Sequence, residues 1–451
     1  SSLTNLSTGT LTFGNTISGN SLSLLGSGNT TLNSNATMAA GAFTLTATQT
    51  GTVTLSNTNN WTGNTTLSGG TVVLDYSAAN ANRLTQRNSV AADAAALGLG
   101  GVNLQLSGGA FAQTLGTPTS GANGTTLNSG QSKISQTNTG TSTIALGAIT
   151  RNAGGVINFQ TGVASTTTAS ASGILGGYAT VGGTDWATGG GTISALGSYD
   201  SFGTPGSNKN ILQDNSASVA ATTTVNSLKI TTSADSQSLA ITSGQTLGLT
   251  SGGVLFTGNH DYSIAGGTLK QSAGLGEVIV QQNGSGVLTI DSIVGNKSGG
   301  FIKDIFTKAG SGTLVLTADN TSSVTDTRVN YLLGGILRIS ANNNLVGAAT
   351  STINFNGGTL QTTADFTTAR TITLDTNGGT FLVNTGTTLT SNGVISGTSY
   401  KGLTKTGLGT LELQATNTFL APVTVTQGTL KLSNAAALGA SSTGSNRSVA
   451  P

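Results

Sequence analysis

Charge is scarce in this sequence: 17 basic and 15 acidic side chains make up 7% of 451 residues, where an ordinary globular domain carries roughly 25%. The formal net charge is +2 and the charges are spread singly, so there is no basic stripe of the kind phosphate binding needs. Nucleic acid is excluded as a partner on that ground. Cysteine is absent, so a secreted chain of this make-up gets no help from disulfides and must be held by packing. There is one histidine, too few for a zinc site built on imidazole and thiolate. Aromatics are 4%, too sparse for one large globular core. No run of roughly 18 apolar residues offers a membrane-spanning helix. Disorder is excluded too, because disordered chains are rich in charge and poor in β-branched residues, the reverse of what stands here.

What is present is a period of two. In Thr410-Leu411-Glu412-Leu413 apolar and polar residues alternate, and they do so again in Val423-Thr424-Val425-Thr426 and Thr429-Leu430-Lys431-Leu432. Alternation of this kind is a strand with one buried face. The Gly-Thr pair of Gly409-Thr410 returns at Gly428-Thr429, which places Leu411 beneath Leu430 and Leu413 beneath Leu432 if the chain makes one full coil between them. The step from Val53 and Leu55 to Val72 and Leu74 is identical in length, and that from Leu314 and Leu316 to Leu337 and Ile339 is slightly longer. A coil whose strands stack at a fixed spacing buries a thin continuous core along its axis. Each copy is followed by a run of small residues that closes in Leu and Gly or Val and Gly, as in Ala95-Ala96-Leu97-Gly98, Asn344-Leu345-Val346-Gly347 and Ala436-Ala437-Leu438-Gly439.

These residues resemble the autotransporter-associated β-strand repeat, also called the passenger-associated transport repeat, with its Thr-Lys-x-Gly-x-Gly-Thr-Leu opening and Gly-Thr-Leu close. Two further blocks, Ile174-Leu175-Gly176-Gly177-Tyr178-Ala179-Thr180-Val181 with Thr184-Asp185-Trp186-Ala187-Thr188, and Gly276-Glu277-Val278-Ile279-Val280-Gln281-Gln282, are similar to segments found between repeats in large surface proteins of bacteria with an outer membrane. The resemblance touches most of the chain from about Gly51 onward. It implies an all-β fold, a right-handed parallel β-helix, outside the cell, and it implies no activity. It also implies an outer-membrane exporter or anchor outside this chain, of the alternating-strand barrel type.

Organisation along the chain is read as one continuous β-solenoid over 1–451, part of a longer polypeptide, with roughly 20 rungs. Residues 1–74 are uncharged rungs: from Ser1 to Leu74 there is no ionisable side chain of either sign. Edge strands are usually guarded by charge, bulges or proline. This stretch is therefore either a set of rungs solvated by hydroxyls and amides or a surface that packs against another copy. In 75–98 the alternation is lost and Ala, Arg83 and Arg87 enter, which predicts a helical excursion. Residues 99–218 read as irregular Gly-rich rungs with a loop over Tyr199–Gln213 that leaves the coil and returns. Residues 219–451 are regular repeat rungs.

Candidate chemistry is thin. His260 lies beside Asp261 without a second histidine or a cysteine, and reads as a turn residue. No Gly-x-Ser-x-Gly frames a nucleophile. Asp319 and Asp326 near Arg328, and Asp291 with Lys303 and Asp304, are the carboxylate groups that an enzyme acting on polysaccharide would need to bring together; solvated turns are the alternative. Trp61 reads as packing over a rung corner, and Trp186 with Tyr178 as either local packing or a small exposed aromatic platform. Runs such as Thr44-Leu45-Thr46 and Thr52-Val53-Thr54 raise an ice-binding face, against which the varying rung lengths count. No catalytic, cofactor-binding or metal-binding residue is assigned, and no cofactor.

The sequence thus predicts a non-catalytic extracellular protein on the surface of a bacterium with an outer membrane. It would be a stiff rod that self-associates, end to end or laterally, into a filament or layer, or an adhesin stalk facing surface glycans or other cells. The alternative is a polysaccharide-binding or polysaccharide-degrading enzyme on the same scaffold.

Overall fold

The computed structural model describes residues 2–5, 9–14, 21–26, 28–32, 44–49, 51–56, 64–78, 80–84, 97–115, 124–137, 140–272, 276–295, 305–321, 328–397, 401–420 and 422–439. The fold is an all-β solenoid of about 15 turns. It divides into two compact units, residues 1–175 with 179–196, and residues 176–178 with 197–451. Among the described residues the one helical segment is a 3-10 turn, Asn342–Asn344, and no helix is long and apolar enough to cross a membrane.

In the first unit, strands such as Asn29–Leu32, Thr52–Leu55, Thr71–Asp75 and Asn103–Ser107 stack in parallel in a nine-stranded sheet. A seven-stranded sheet and a four-stranded one complete that unit, while the second has a nine-stranded sheet, a ten-stranded sheet and two four-stranded ones. The registers are those the spacing predicts: Val53 faces Val72, Leu55 faces Leu74, Leu314 faces Leu337, Leu411 faces Leu430 and Leu413 faces Leu432. Burial alternates along such strands, Val53 and Leu55 inward and Thr52 and Thr54 half-exposed. Each side chain of the ladder stacks on its equivalent one turn away, so the core grows as a column. At about 1.5–3 kcal/mol per fully buried Leu, Val or Ile, the column is the principal source of stability.

The corners need glycine. Gly407 and Gly428 have φ of 75° and 74°, left-handed values that L side chains rarely adopt. They also stack, so that a Cβ on Gly428 would lie 2.3 Å from the Gly407 carbonyl oxygen. One turn's corner therefore rests directly on the last.

Two expectations change. The turns number about 15 rather than the larger count expected, because excursions consume chain without adding a rung. Leu74 pairs with Leu106 and Leu104 with Ile134, so each of those turns takes far more chain than the turn from Val53 to Val72. Further along, Ala164–Thr166 pairs with Gly191–Thr192 and Ala179–Val181 with Asp185–Trp186 in antiparallel fashion. The predicted helical excursion over 75–98 is absent where the chain is described. Residues 76–78 and 80–84 hold no helix, and Leu97–Gly98 lies in strand Leu97–Gly100; Ala79 and Arg87 lie outside the described residues. The reason is Gln113, whose Oε1 accepts from Arg83 N at 2.8 Å and Leu84 N at 3.4 Å and from the Tyr76 hydroxyl at 3.0 Å. Backbone N–H groups that a helix would send to i−4 carbonyls are spent on a side chain. The loop within Tyr199–Gln213 closes at its base, where Asp200 N donates to Asn210 O at 2.8 Å and Leu212 N to Asp200 O at 3.0 Å.

Candidate functional site

The residues singled out for chemistry are dispersed. His260 is 37% exposed in its side chain, and its Nδ1 lies 3.1 Å from Asp235 Oδ1. Its backbone is tied to Thr232, whose hydroxyl donates to His260 O at 3.0 Å. Asp261 Oδ1 accepts from Val287 N at 2.7 Å. Asp319 closes a turn by accepting from Thr321 N at 2.9 Å, and Asp291 accepts from the Thr317 hydroxyl at 2.6 Å. Arg328 is buried. Asp326, Lys303, Asp304 and Trp61 lie outside the described residues. Among the described residues no three His, Asp or Glu side chains gather as a metal ion would require.

Trp186 is no platform: it is fully buried. The Gly182-Gly183 corner, both at positive φ, folds strand Asp185–Trp186 back on Ala179–Val181 and turns the indole inward. Tyr178 is half-buried. Its neighbour Gly177, within the second unit, accepts at its carbonyl from Gln281 Nε2 at 2.9 Å, which joins the two sequence blocks noted between repeats.

The residues that sequence reasoning passed over are the lysines of the repeat. In Thr307-Lys308-Ala309-Gly310-Ser311-Gly312-Thr313-Leu314, Lys308 is fully buried. Its Nζ donates at 2.9 Å to each of Ala309 O, Gly310 O and Gly334 O. In Thr404-Lys405-Thr406-Gly407-Leu408-Gly409-Thr410-Leu411, Lys405 does the same, to Thr406 O at 2.9 Å, Gly407 O at 2.7 Å and Gln427 O at 3.1 Å. Two of the three carbonyls belong to the lysine's own corner and the third to the corner one turn on. The ammonium's three donors match three carbonyls that a left-handed corner leaves pointing inward. Burial pushes the Lys308 ammonium down to about 7 and lowers that of Lys405 as well. Arg370, also buried and lowered to about 10 by burial, holds the Asn342–Gly347 turn from the next coil, with Nε to Asn342 Oδ1 at 3.0 Å and Nη2 to Leu345 O at 3.1 Å.

A second repeat residue works over three coils at once. Asn320 Oδ1 accepts from Val294 N at 2.8 Å and its Nδ2 donates to Asn344 O at 2.6 Å. Asn417 accepts from Ile395 N at 2.8 Å and donates to Ala437 O at 2.5 Å. Each stitches the coil before it to the coil after it. The signal was in the spacing: the step from Lys308 to Asn320 equals the step from Lys405 to Asn417. The segment around Val53 has Ala47 and Asn59 at that separation, an alanine where the other two have lysine; Asn59 lies outside the described residues.

The outside of the first unit's nine-stranded sheet carries two columns over five successive strands. One runs Thr10, Asn29, Thr52, Thr71, Asn103, and the other Thr12, Thr31, Thr54, Val73, Gln105. All ten are exposed or half-exposed. None is charged; Asn103 is followed in register by exposed Lys133. The threonine columns of an ice-binding face are interrupted by Asn29, Val73, Asn103 and Gln105.

The passenger-associated-transport-repeat family matches residues 45–74, 306–325 and 403–432, the segments that contain these corners. The chain is also similar to the adhesin BmaC autotransporter of Brucella suis biovar 1 (strain 1330), 34% identical over 420 residues, which is 83% of this chain and 11% of that protein. It thus spans about a ninth of the length of the curated relative it matches. No solved structure matches. The chain is an autotransporter-passenger-like repeat protein.

Proposed function

We propose that this passenger-like protein is a non-catalytic, adhesin-like surface protein of a Gram-negative bacterium, secreted or held at the outer membrane by a barrel outside this chain. The observation that carries the reading is where the repeat spends its distinctive residues. Lys308, Lys405, Asn320 and Asn417 all go to bonds between successive coils, so the motif builds length and cohesion and leaves the polar exterior as the contact surface. The relative named an adhesin supports the same direction. On this reading the protein acts by geometry. It presents a weakly charged β-wall to cells, to surface glycans or to other copies of itself, and low charge density leaves little electrostatic resistance to such contacts.

The test is to display residues 1–451 on a non-adherent bacterium through a heterologous outer-membrane barrel. Attachment to cultured cells and abiotic surfaces, and settling of the bacteria themselves, are expected to rise over a barrel-only strain. Unchanged attachment and unchanged settling would refute the reading. The same cells incubated with acidic and neutral polysaccharides test the enzymatic alternative, for which new reducing ends or unsaturated uronates would be the positive result.

A further inference from the structure

We infer that the two uncharged columns on the first unit's nine-stranded sheet are the face through which one copy of the chain meets another; this rests on the self-association contained in the reading above. Three features of the wall select that occupant. The hydroxyls of its six threonines each donate and accept, so the wall is complementary to itself at those positions, while Asn29 Oδ1 is taken by Thr52 N at 3.0 Å and Val73 offers neither group. Its groups repeat at the strand spacing of about 4.8 Å along each column. A second wall turned about a two-fold axis perpendicular to the columns presents the same period, and one match brings all the strands into match. Its ten positions also carry no charge over five strands, and the charges beside them, Asp75 at the next outward position of strand Thr71–Asp75 and Lys133 one strand beyond Asn103, stand at its margin, so no like charges are opposed within the two columns.

The other occupants fit less well. The ten wall residues include no aromatic ring on which a sugar could stack, and no cation for an acidic polymer. At about 20 Å along the stack by the strand spacing and about 7 Å across its two columns, the wall covers on the order of 200 Å², well short of the roughly 800 Å² per partner of a stable complex. Contact between these faces is therefore weak for isolated copies and effective when many copies are held side by side, where local concentration multiplies each contact.

The experiment couples the full chain at high density to beads through a C-terminal biotin and measures bead clumping. Wild-type beads are expected to clump. Thr31→Lys with Thr54→Lys, which puts two adjacent like charges into the wall, should lower clumping at least tenfold, as should Thr31→Asp with Thr54→Asp. Mixing the two kinds of bead should restore clumping, and added salt should weaken the restored contact; a merely structural defect would not be rescued by an oppositely charged partner. Thr404→Lys with Thr424→Lys, stacked outward positions of the second unit, should leave clumping unchanged. Doubly substituted walls that clump like wild type, or mixtures that fail to recover, overturn the assignment. Wild-type beads that never clump overturn self-association itself, while adhesion to cells stays separately measurable on the same beads.

Discussion

Lys308→Met tests whether the repeat lysine is a clasp between coils. Methionine keeps length and approximate volume but removes three donors, leaving the carbonyls of Ala309, Gly310 and Gly334 without the bonds they receive at 2.9 Å. A buried carbonyl stripped of its partner costs about 1–3 kcal/mol. Against this stands relief from burying an ammonium, the effect that lets some buried ion pairs be replaced by hydrophobes without loss. That relief prevails when every polar member is replaced, and here the carbonyls are backbone and stay. The net expectation is a local destabilisation of about 2–4 kcal/mol, which is about thirtyfold to several hundredfold in the opening equilibrium. Because stability in a stacked array is local, the assay is native-state hydrogen exchange. The reporters are Leu333 N–H, bonded to Lys308 O at 2.9 Å, and Ile336 N–H, bonded to Gly312 O at 3.2 Å, with Val219–Ile241 as a remote reference. Lys431→Met removes an exposed lysine paired with Glu412 at 3.0 Å and should cost no more than about 1 kcal/mol. Protection at Leu333 and Ile336 equal to or above wild type in Lys308→Met would refute the clasp.

Three further outcomes follow from the same geometry. Asn417→Ala deprives Ile395 N–H and the Ala437 carbonyl of their partners and should cost about 2–4 kcal/mol, read as faster exchange at Ile395 with the remote reference unmoved. Gly402→Ala and Gly386→Ala share nearly the same φ, 74° and 78°, but the added Cβ would sit 1.9 Å from Pro422 O in the first and meet nothing within 4 Å in the second. Gly386→Ala should cost about 1 kcal/mol for backbone conformation alone, and Gly402→Ala clearly more, by denaturant-dependent exchange. Glu412 is held down to about 2, first by the Ser433 hydroxyl and then by Gln414 and Lys431. A carboxylate depressed in the folded chain stabilises above its ordinary value, 4.5, and loses that contribution as pH falls through about 2. Exchange from the Thr429–Leu432 strand, intrinsic rates corrected, should therefore accelerate between those pH values, and Glu412→Gln should flatten the dependence.

The strands were legible because the information is local. In Thr410-Leu411-Glu412-Leu413 the inward positions are set by alternation alone, and Leu411 over Leu430 follows from the return of the Gly-Thr pair one coil later. The loop after Tyr199 was legible only in part: Pro205 and Gly206 interrupt any strand, but the expected end at Gln213 falls inside strand Asn210–Gln213. Trp186 was not: two glycines could as well have left it exposed, and only the antiparallel return strand buries it.

By itself, then, the sequence determined a solenoid whose core is a column of aliphatic side chains, because burial in a strand depends on parity and parity can be counted. It also determined an uncharged first stretch, since composition needs no coordinates. The tertiary structure alone decided that the lysine of the repeat, by type a surface residue, is buried. Its partners Gly334 and Gln427 are distant in sequence and are brought to it only when the next coil is laid down. It also decided how many coils the chain makes, because an excursion such as the one after Leu74 is tied down by a hydrogen bond from Arg83 N to Gln113, far along the chain. Alternation is a property of neighbours in sequence, whereas the clasp, the stitch and the length of a turn belong to groups that only stacking makes neighbours.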